Sequence, residues 1–183
     1  MRIISGKFKG RRFVPPSNIS ARPTTDFARE GLFNLLANRI DFEETNALDL
    51  FAGTGSVSLE LISRGCRNVT AIELNERHCA FIRKVCTELK IENLLLIKSD
   101  ALRFASKTRQ QYDLIFADPP YDFAKLTEIP DLIFNNNLLT DEGLFVLEHS
   151  AKNNFAEHPN FAEHRHYGNV NFSLFVCLNC DFE

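Results

Sequence analysis

The sequence has no apolar run approaching the roughly eighteen residues of a membrane-spanning helix, so a membrane protein is not expected. Its start, Met1-Arg2-Ile3-Ile4-Ser5-Gly6, lacks the apolar stretch of about seven residues or more that a secretory signal carries. The five cysteines are odd in number and spaced without a disulfide framework, which suits a reducing, cytoplasmic location. Cys177-Leu178-Asn179-Cys180 is a solitary CxxC pair at the end of an apolar run. A zinc site needs two further ligands and a redox pair opens a helix, so these thiols are expected to be structural, and no metal is expected. His158, His164 and His166 lie close together without an HExxH or Cys/His spacing, and they read as a polar surface stretch. There is no Gly/Ser/Pro tract that would suggest disorder, and no internal repeat. With 183 residues, 44% hydrophobic and 25% charged, the chain can build one well-packed core and is short for two.

Acids are absent from residues 1–25, which carry Arg2, Lys7, Lys9, Arg11, Arg12 and Arg22. The net charge is −3, so the rest of the chain carries −9. A basic arm on an acidic body commonly meets phosphates, although a solvated hairpin with ordinary surface lysines has the same composition.

The pattern along the chain begins with a β-hairpin, Arg2–Ser5 and Arg11–Val14, turned at Gly6 and Gly10 and stopped by Pro15-Pro16. Pro23-Thr24-Thr25-Asp26 then opens an amphipathic helix with apolar positions at Phe27/Ala28, Leu32 and Leu35/Leu36. From residue 47 strands and helices alternate: strands at 47–51, 68–73, 94–98, 112–117 and 143–148, and helices after the first, second and fourth. A closing hairpin, 161–167 with 170–178, turns at Gly168-Asn169. Alternation of this kind predicts an α/β fold with a parallel sheet covered on both faces, plus antiparallel character at one edge. We expect residues 1–45 to form the basic arm and its helix, and residues 46–183 the α/β domain.

Asp49-Leu50-Phe51-Ala52-Gly53-Thr54-Gly55 follows the first strand and leads into a helix, the place where open α/β sheets bind ligands. The third glycine of a dinucleotide fingerprint is replaced by Ser58, and no GK[ST] follows, so a cofactor without a pyrophosphate suits this turn better. Glu73, at the end of the second strand, can accept hydrogen bonds from two ribose hydroxyls, and Asp100, ending the third, can meet an adenine edge. Asp118-Pro119-Pro120-Tyr121 ends the fourth strand. Its two prolines offer no N–H, which leaves a stiff rim displaying the Asp118 carboxylate and the Pro119 carbonyl beside an aromatic face. Two acceptors next to a stacking ring suit a planar group bearing an NH2.

On these residues the chain resembles the nucleic-acid amino-methyltransferases, whose motif is [DNS]PP[YFW]. More narrowly it is similar to the bacterial small-subunit ribosomal RNA (guanine-N2) methyltransferases. That similarity covers nearly the whole chain: Arg2-Ile3-Ile4-Ser5-Gly6, Gly10-Arg11-Arg12, Arg22-Pro23-Thr24, the glycine turn, Ser63-Arg64-Gly65, DPPY and Tyr167-Gly168. It matches least from Ala151 to Glu163. The resemblance implies a Rossmann-like class I methyltransferase with a seven-stranded sheet and S-adenosylmethionine as methyl donor. The implied partner is 16S rRNA in the small ribosomal subunit or its assembly intermediate, met by a monomer without a membrane.

Expected cofactor contacts are Asp49, Phe51, Gly53, Gly55, Glu73, Leu74, Asp100 and Ala101. Asp118, Pro119, Pro120 and Tyr121 would carry catalysis, while Arg2, Lys7, Lys9, Arg11, Arg12, Arg22 and Thr24 would meet RNA. Direct methyl transfer is the expected chemistry, with the two acceptors localising the amine lone pair. A DNA adenine-N6 methyltransferase shares DPPY but normally needs an additional recognition domain. A protein-glutamine methyltransferase would open its motif with Asn, and a non-catalytic rRNA-binding assembly factor would not need Glu73 or Asp118.

Overall fold

The computed structural model describes residues 1–15 and 26–177. After α1 (Asp26–Ala37) come β1 (Asn46–Asp49), α2 (Ser56–Ser63), β2 (Asn68–Glu73), α3 (Glu76–Leu89), β3 (Leu94–Lys98), α4 (Ala101–Ala105) and β4 (Tyr112–Ala117). The remaining elements are α5 (Ile129–Asn135), β5 (Leu139–His149), β6 (Phe161–Tyr167) and β7 (Val170–Val176). The strands form one sheet in the order β3-β2-β1-β4-β5-β7-β6. β1 to β5 run parallel, and β7 lies antiparallel between β5 and β6. The expected seven-stranded, mostly parallel sheet with an antiparallel edge hairpin is therefore what forms.

Each inner strand feeds two cores, because successive side chains leave a strand on opposite faces. Leu114 and Phe116 of β4 pack with Ala28, Leu32 and Leu36 of α1 and with Leu61 of α2. Ile115 and Ala117 pack on the other face with Ala105 of α4 and with Ile129 and Ile133 of α5. On the first face α3 joins through Ile82, against Ala52 and Ala71. The edge strands β3 and β6 are only partly buried.

Three expectations change in detail. The short helix α4 has no counterpart in the sequence pattern. It forms because the Asp100 carboxylate accepts the Arg103 N–H at 2.8 Å and caps its start. β5 begins at Leu139, ahead of Gly143, because Leu139 pairs with Tyr112 before a register shift that loops out extra residues of β5 ahead of Leu144. Among the three histidines, His164 and His166 are exposed, but His158 packs against the rings of Phe134 and Phe175 and is not part of a polar surface. Pro23, Thr24, Thr25 and Cys180 lie outside the described residues.

The N-terminal hairpin closes with one β-bridge, Arg2 to Arg12, in place of two full strands. Phe13 N–H donates to Met1 C=O at 3.0 Å and Gly10 N–H to Ile3 C=O at 2.9 Å. What holds this segment is α2. The buried Glu60 carboxylate accepts the N–H groups of Ile4 at 2.7 Å and Ser5 at 3.0 Å, and Nε of Arg64 at 2.8 Å. Ser63 takes the Phe8 N–H on Oγ at 2.9 Å and the Lys7 N–H on its carbonyl at 2.6 Å. Ile3 and Phe13 are buried with Leu59 of α2 and with Phe81, Val85 and Leu89 of α3. Arg29, also buried, donates to Arg2 C=O at 2.7 Å and to Asp26 at 2.6 Å.

Glu60→Ala leaves two backbone N–H groups without their acceptor, at about 1–3 kcal/mol each. We expect a loss of about 2–5 kcal/mol in urea denaturation. Removing the half-exposed Arg11–Glu88 pair should cost less than about 1 kcal/mol. Equal losses in the two variants would mean that the Glu60 clasp does not anchor the segment.

Candidate functional site

The site originates where the sheet order reverses. β1 lies between β2 and β4, and past Asp49 its backbone is shared between them: Leu50 N–H donates to Phe116 C=O and Ala52 N–H to Ile72 C=O, both at 2.9 Å. The strand ends splay there and open a cleft of about 910 Å3 at their carboxyl edge. Gly53 and Gly55 turn the chain into α2 with φ of 53° and 80°. A Cβ on Gly55 would stand 3.0 Å from Ile82, so both the angle and the space call for glycine.

Glu73 holds this turn. One carboxylate oxygen accepts the Gly53 N–H and the other the Asn75 N–H, each at 2.7 Å. A carboxylate offers about four acceptor positions, so both oxygens can still accept hydroxyl hydrogens. Asp49 is buried beneath the turn. Its Oδ2 accepts the Ser58 hydroxyl at 2.6 Å, while its Oδ1 is buried without a hydrogen-bond partner. Burial pushes the Asp49 carboxyl up to about 6, against the hydrogen bond from Ser58, which lowers it.

The opposite wall is the rim after β4. Phe123 N–H donates to Pro120 C=O at 2.8 Å and closes a turn that presents Tyr121, 45% exposed. The Phe123 ring meets Phe51 edge-on at 5.4 Å, joining the rim to the glycine turn.

Asp49, Phe51, Gly53, Glu73, Leu74, Asp100, Ala101, Asp118, Pro119, Pro120 and Tyr121 all line this one cleft, and Gly55 sits just behind its wall. The basic residues are elsewhere. Arg2, Lys7, Lys9, Arg11 and Arg12 do not line it, and Arg22 and Thr24 lie outside the described residues. Arg2 and Arg11 form ion pairs with Asp26 and Glu88, while Lys7, Lys9 and Arg12 are exposed.

Sequence reasoning missed Phe27, Tyr167 and Glu148 as cleft residues. Phe27 is 67% exposed and meets the Tyr167 ring edge-on at 6.2 Å. Glu148, next to last in β5, lies within the cleft, and an acid near a strand end was the available signal. Asp49, Glu73, Asp100, Asp118 and Glu148 thus converge on one cleft that, among the described residues, no Lys or Arg lines.

Comparison with known proteins agrees with this geometry. A family model described as conserved hypothetical protein 95 matches residues 1–176. Ribosomal RNA small subunit methyltransferase D of Escherichia coli K12 is 35% identical, over 90% of this chain and 83% of its own length. The protein of that name from Buchnera aphidicola of Baizongia pistaciae is 30% identical, over 98% of this chain and 93% of its own. The chain belongs to this family. Its fold is shared with the solved structure of yhhF from Escherichia coli, at a TM-score of 0.84 and 31% identity, covering 97% of this chain and 98% of that one. The sheet order is that of the class I methyltransferases.

The cleft fits S-adenosylmethionine, which carries positive charge and no phosphate. A wall of carboxylates without a cation attracts such a donor and repels a nucleotide phosphate. The Asp49 carboxylate, buried beside the glycine turn, adds to this acidic wall.

The raised Asp49 carboxyl also has a consequence for stability. The folded state holds this proton more tightly than the unfolded chain, so its contribution is lost as pH rises from about 4 to about 6. Asp49→Asn escapes that loss. Across this window the stability difference should move in favour of the variant by up to about 3 kcal/mol, read from urea denaturation at each pH. A difference independent of pH would show that Asp49 does not titrate there.

Proposed function

We propose that this chain transfers a methyl group from S-adenosylmethionine to the exocyclic N2 amine of a guanine in 16S rRNA of the small ribosomal subunit. One observation carries this: the Asp118-Pro119-Pro120-Tyr121 rim faces the same acid-lined crevice as Asp49, Glu73 and Asp100. The names of the relatives, which specify small-subunit rRNA, support the substrate class.

S-adenosylmethionine, when bound, supplies an electrophilic methyl group on a cationic sulfur. Glu73, with Leu74 beside it, holds the ribose hydroxyls while keeping its grip on Gly53. Asp100 and Ala101 meet the adenine edge, and Asp49, Phe51, Gly53 and Gly55 shape the wall for the amino-acid end. Tyr121 stacks on the target base. Asp118 and the Pro119 carbonyl accept its two amine hydrogens, and Pro120 keeps the rim rigid. Accepting both N–H bonds draws the nitrogen lone pair out of conjugation and turns it toward the methyl group. The nitrogen gains the methyl and releases one proton, which Asp118 is placed to accept. A target inside a helix must first turn out of its stack.

Lys7, Lys9 and Arg12, exposed on the clasped N-terminal segment, contact RNA phosphates. Arg2 and Arg11 serve the fold as well, through their partners Asp26 and Glu88.

Labelled methyl transfer to small-subunit rRNA, assembled subunits and DNA, followed by nucleoside analysis, tests the assignment. N2-methylguanosine from small-subunit rRNA is expected. N6-methyladenine, or no transfer to any of the three, would overturn it. In single turnover, Asp118→Ala should slow transfer roughly a hundred- to a thousand-fold, corresponding to about 2.7–4 kcal/mol. Asp118→Asn, which keeps one acceptor, should lose less. Tyr121→Ala should instead weaken capture of the base by about 1–3 kcal/mol. A wild-type rate in Asp118→Ala would reduce DPPY to a turn.

Replacing Lys7, Lys9 and Arg12 together by alanine should flatten the log–log salt dependence of RNA binding by about 2–3 units, with cofactor affinity retained. An unchanged slope would assign these residues no phosphate contacts.

A further inference from the structure

Glu148 is the one carboxylate of the cleft to which the proposed transfer gives no role. It is 3% exposed, yet it lines the cleft together with Asp118. Its position follows from the sheet. β4 and β5 are in register, with Phe116 opposite Val146 and Ala117 opposite Leu147. Asp118 directly follows the end of β4 and Glu148 follows Leu147 within β5, and neighbouring strands lie roughly 4.8 Å apart. By the alternation of side chains Glu148 shares the face of Val146, and Asp118, just past the end of β4, lines the same cleft. β7 covers the far side of Glu148 through Phe172. Phe27, Tyr167 and Val170 supply apolar wall around the same end of the cleft. Tyr167 fits there because Gly31 of α1 has no Cβ; one built at that position would run into the Tyr167 ring.

A base whose amine is held at Asp118 must therefore present its next edge atom to an acidic neighbour on the adjoining strand. In guanine the amine-bearing carbon lies between N1, which carries a hydrogen, and N3, which does not, so only N1 can donate to a carboxylate. Adenine has an unprotonated N1 beside its amine, an acceptor. We infer that Glu148 reads the base by accepting the guanine N1–H, and so determines specificity for guanine over adenine. This rests on transfer to guanine N2 and names the residue that selects it. A carboxylate as buried as Glu148 satisfies the N1–H of guanine, whereas it faces adenine acceptor to acceptor. Sites built around a substrate N–H reject analogues lacking it far more strongly than apolar pockets reject a change in size.

The test uses small-subunit rRNA carrying guanine or 2-aminopurine at the position located by mapping the methylated nucleotide. 2-Aminopurine keeps the N2 amine and lacks the N1–H. The wild-type protein should prefer guanine by about a hundredfold or more in kcat/KM. Glu148→Gln, whose amide both donates and accepts, should narrow that preference at least about tenfold, with affinity for S-adenosylhomocysteine retained in calorimetry. A wild-type protein that methylates both bases equally overturns the inference without any variant, as does a folded Glu148→Gln with the wild-type preference. Those outcomes leave guanine-N2 transfer standing. A wild-type product other than N2-methylguanosine would instead sink the function on which the inference rests.

Discussion

The Glu73 carboxylate holding the Gly53 amide is the contact on which the site depends. It joins the end of β2 to the turn that leaves β1, at the position where β1 shares its backbone between β2 and β4. Without that acceptor the Gly53 amide has no acceptor from β2, and the two left-handed glycines have only local hydrogen bonds to define the turn. The same carboxylate lines the cleft and has acceptor positions to spare beyond these two amides. The Phe51–Phe123 contact passes this constraint across the cleft to the rim that carries Asp118 and Tyr121.

Charge is distributed to match. Acids at or just past the ends of five adjacent strands, with Asp49 of β1 the deepest, make the cleft negative, and the exposed cations of the N-terminal segment lie outside it. A cationic donor is favoured inside the cleft, and the exposed cations of the N-terminal segment are kept apart from it. Asp49 carries the cost of this arrangement. It is fully buried, and that burial holds its carboxyl above its ordinary range against the hydrogen bonds it accepts.

The N-terminal segment is held more firmly than an appended arm would be. Its backbone supplies donors to Glu60 and Ser63, and its two apolar residues complete a core with α2 and α3. Buried Arg29 bonds to that segment through Arg2 and to Asp26, the residue before Phe27 on the cleft rim. The basic N-terminal segment and the edge of the cleft are thereby linked through the first turn of α1.

Much of this was written in local sequence. Periodicity located β2, α3, β3 and β4, because an inner parallel strand is a continuous apolar run and an amphipathic helix repeats near every fourth residue. That the glycine turn, the strand-end acids and DPPY share one cleft could be read from residue type and spacing, because each follows the carboxyl end of a parallel strand. What only the tertiary structure decided depends on partners distant in the chain. α4 forms around a single cap, too short to show a period, and β5 starts early because Tyr112 offers Leu139 a pairing partner. Glu60 looks like a surface acid of an ordinary helix until Ile4 and Ser5, more than fifty residues earlier, bring their amides to it. Glu148 becomes a cleft residue only when strand order sets β5 beside β4, since side-chain alternation assigns a face and the sheet alone assigns the neighbour.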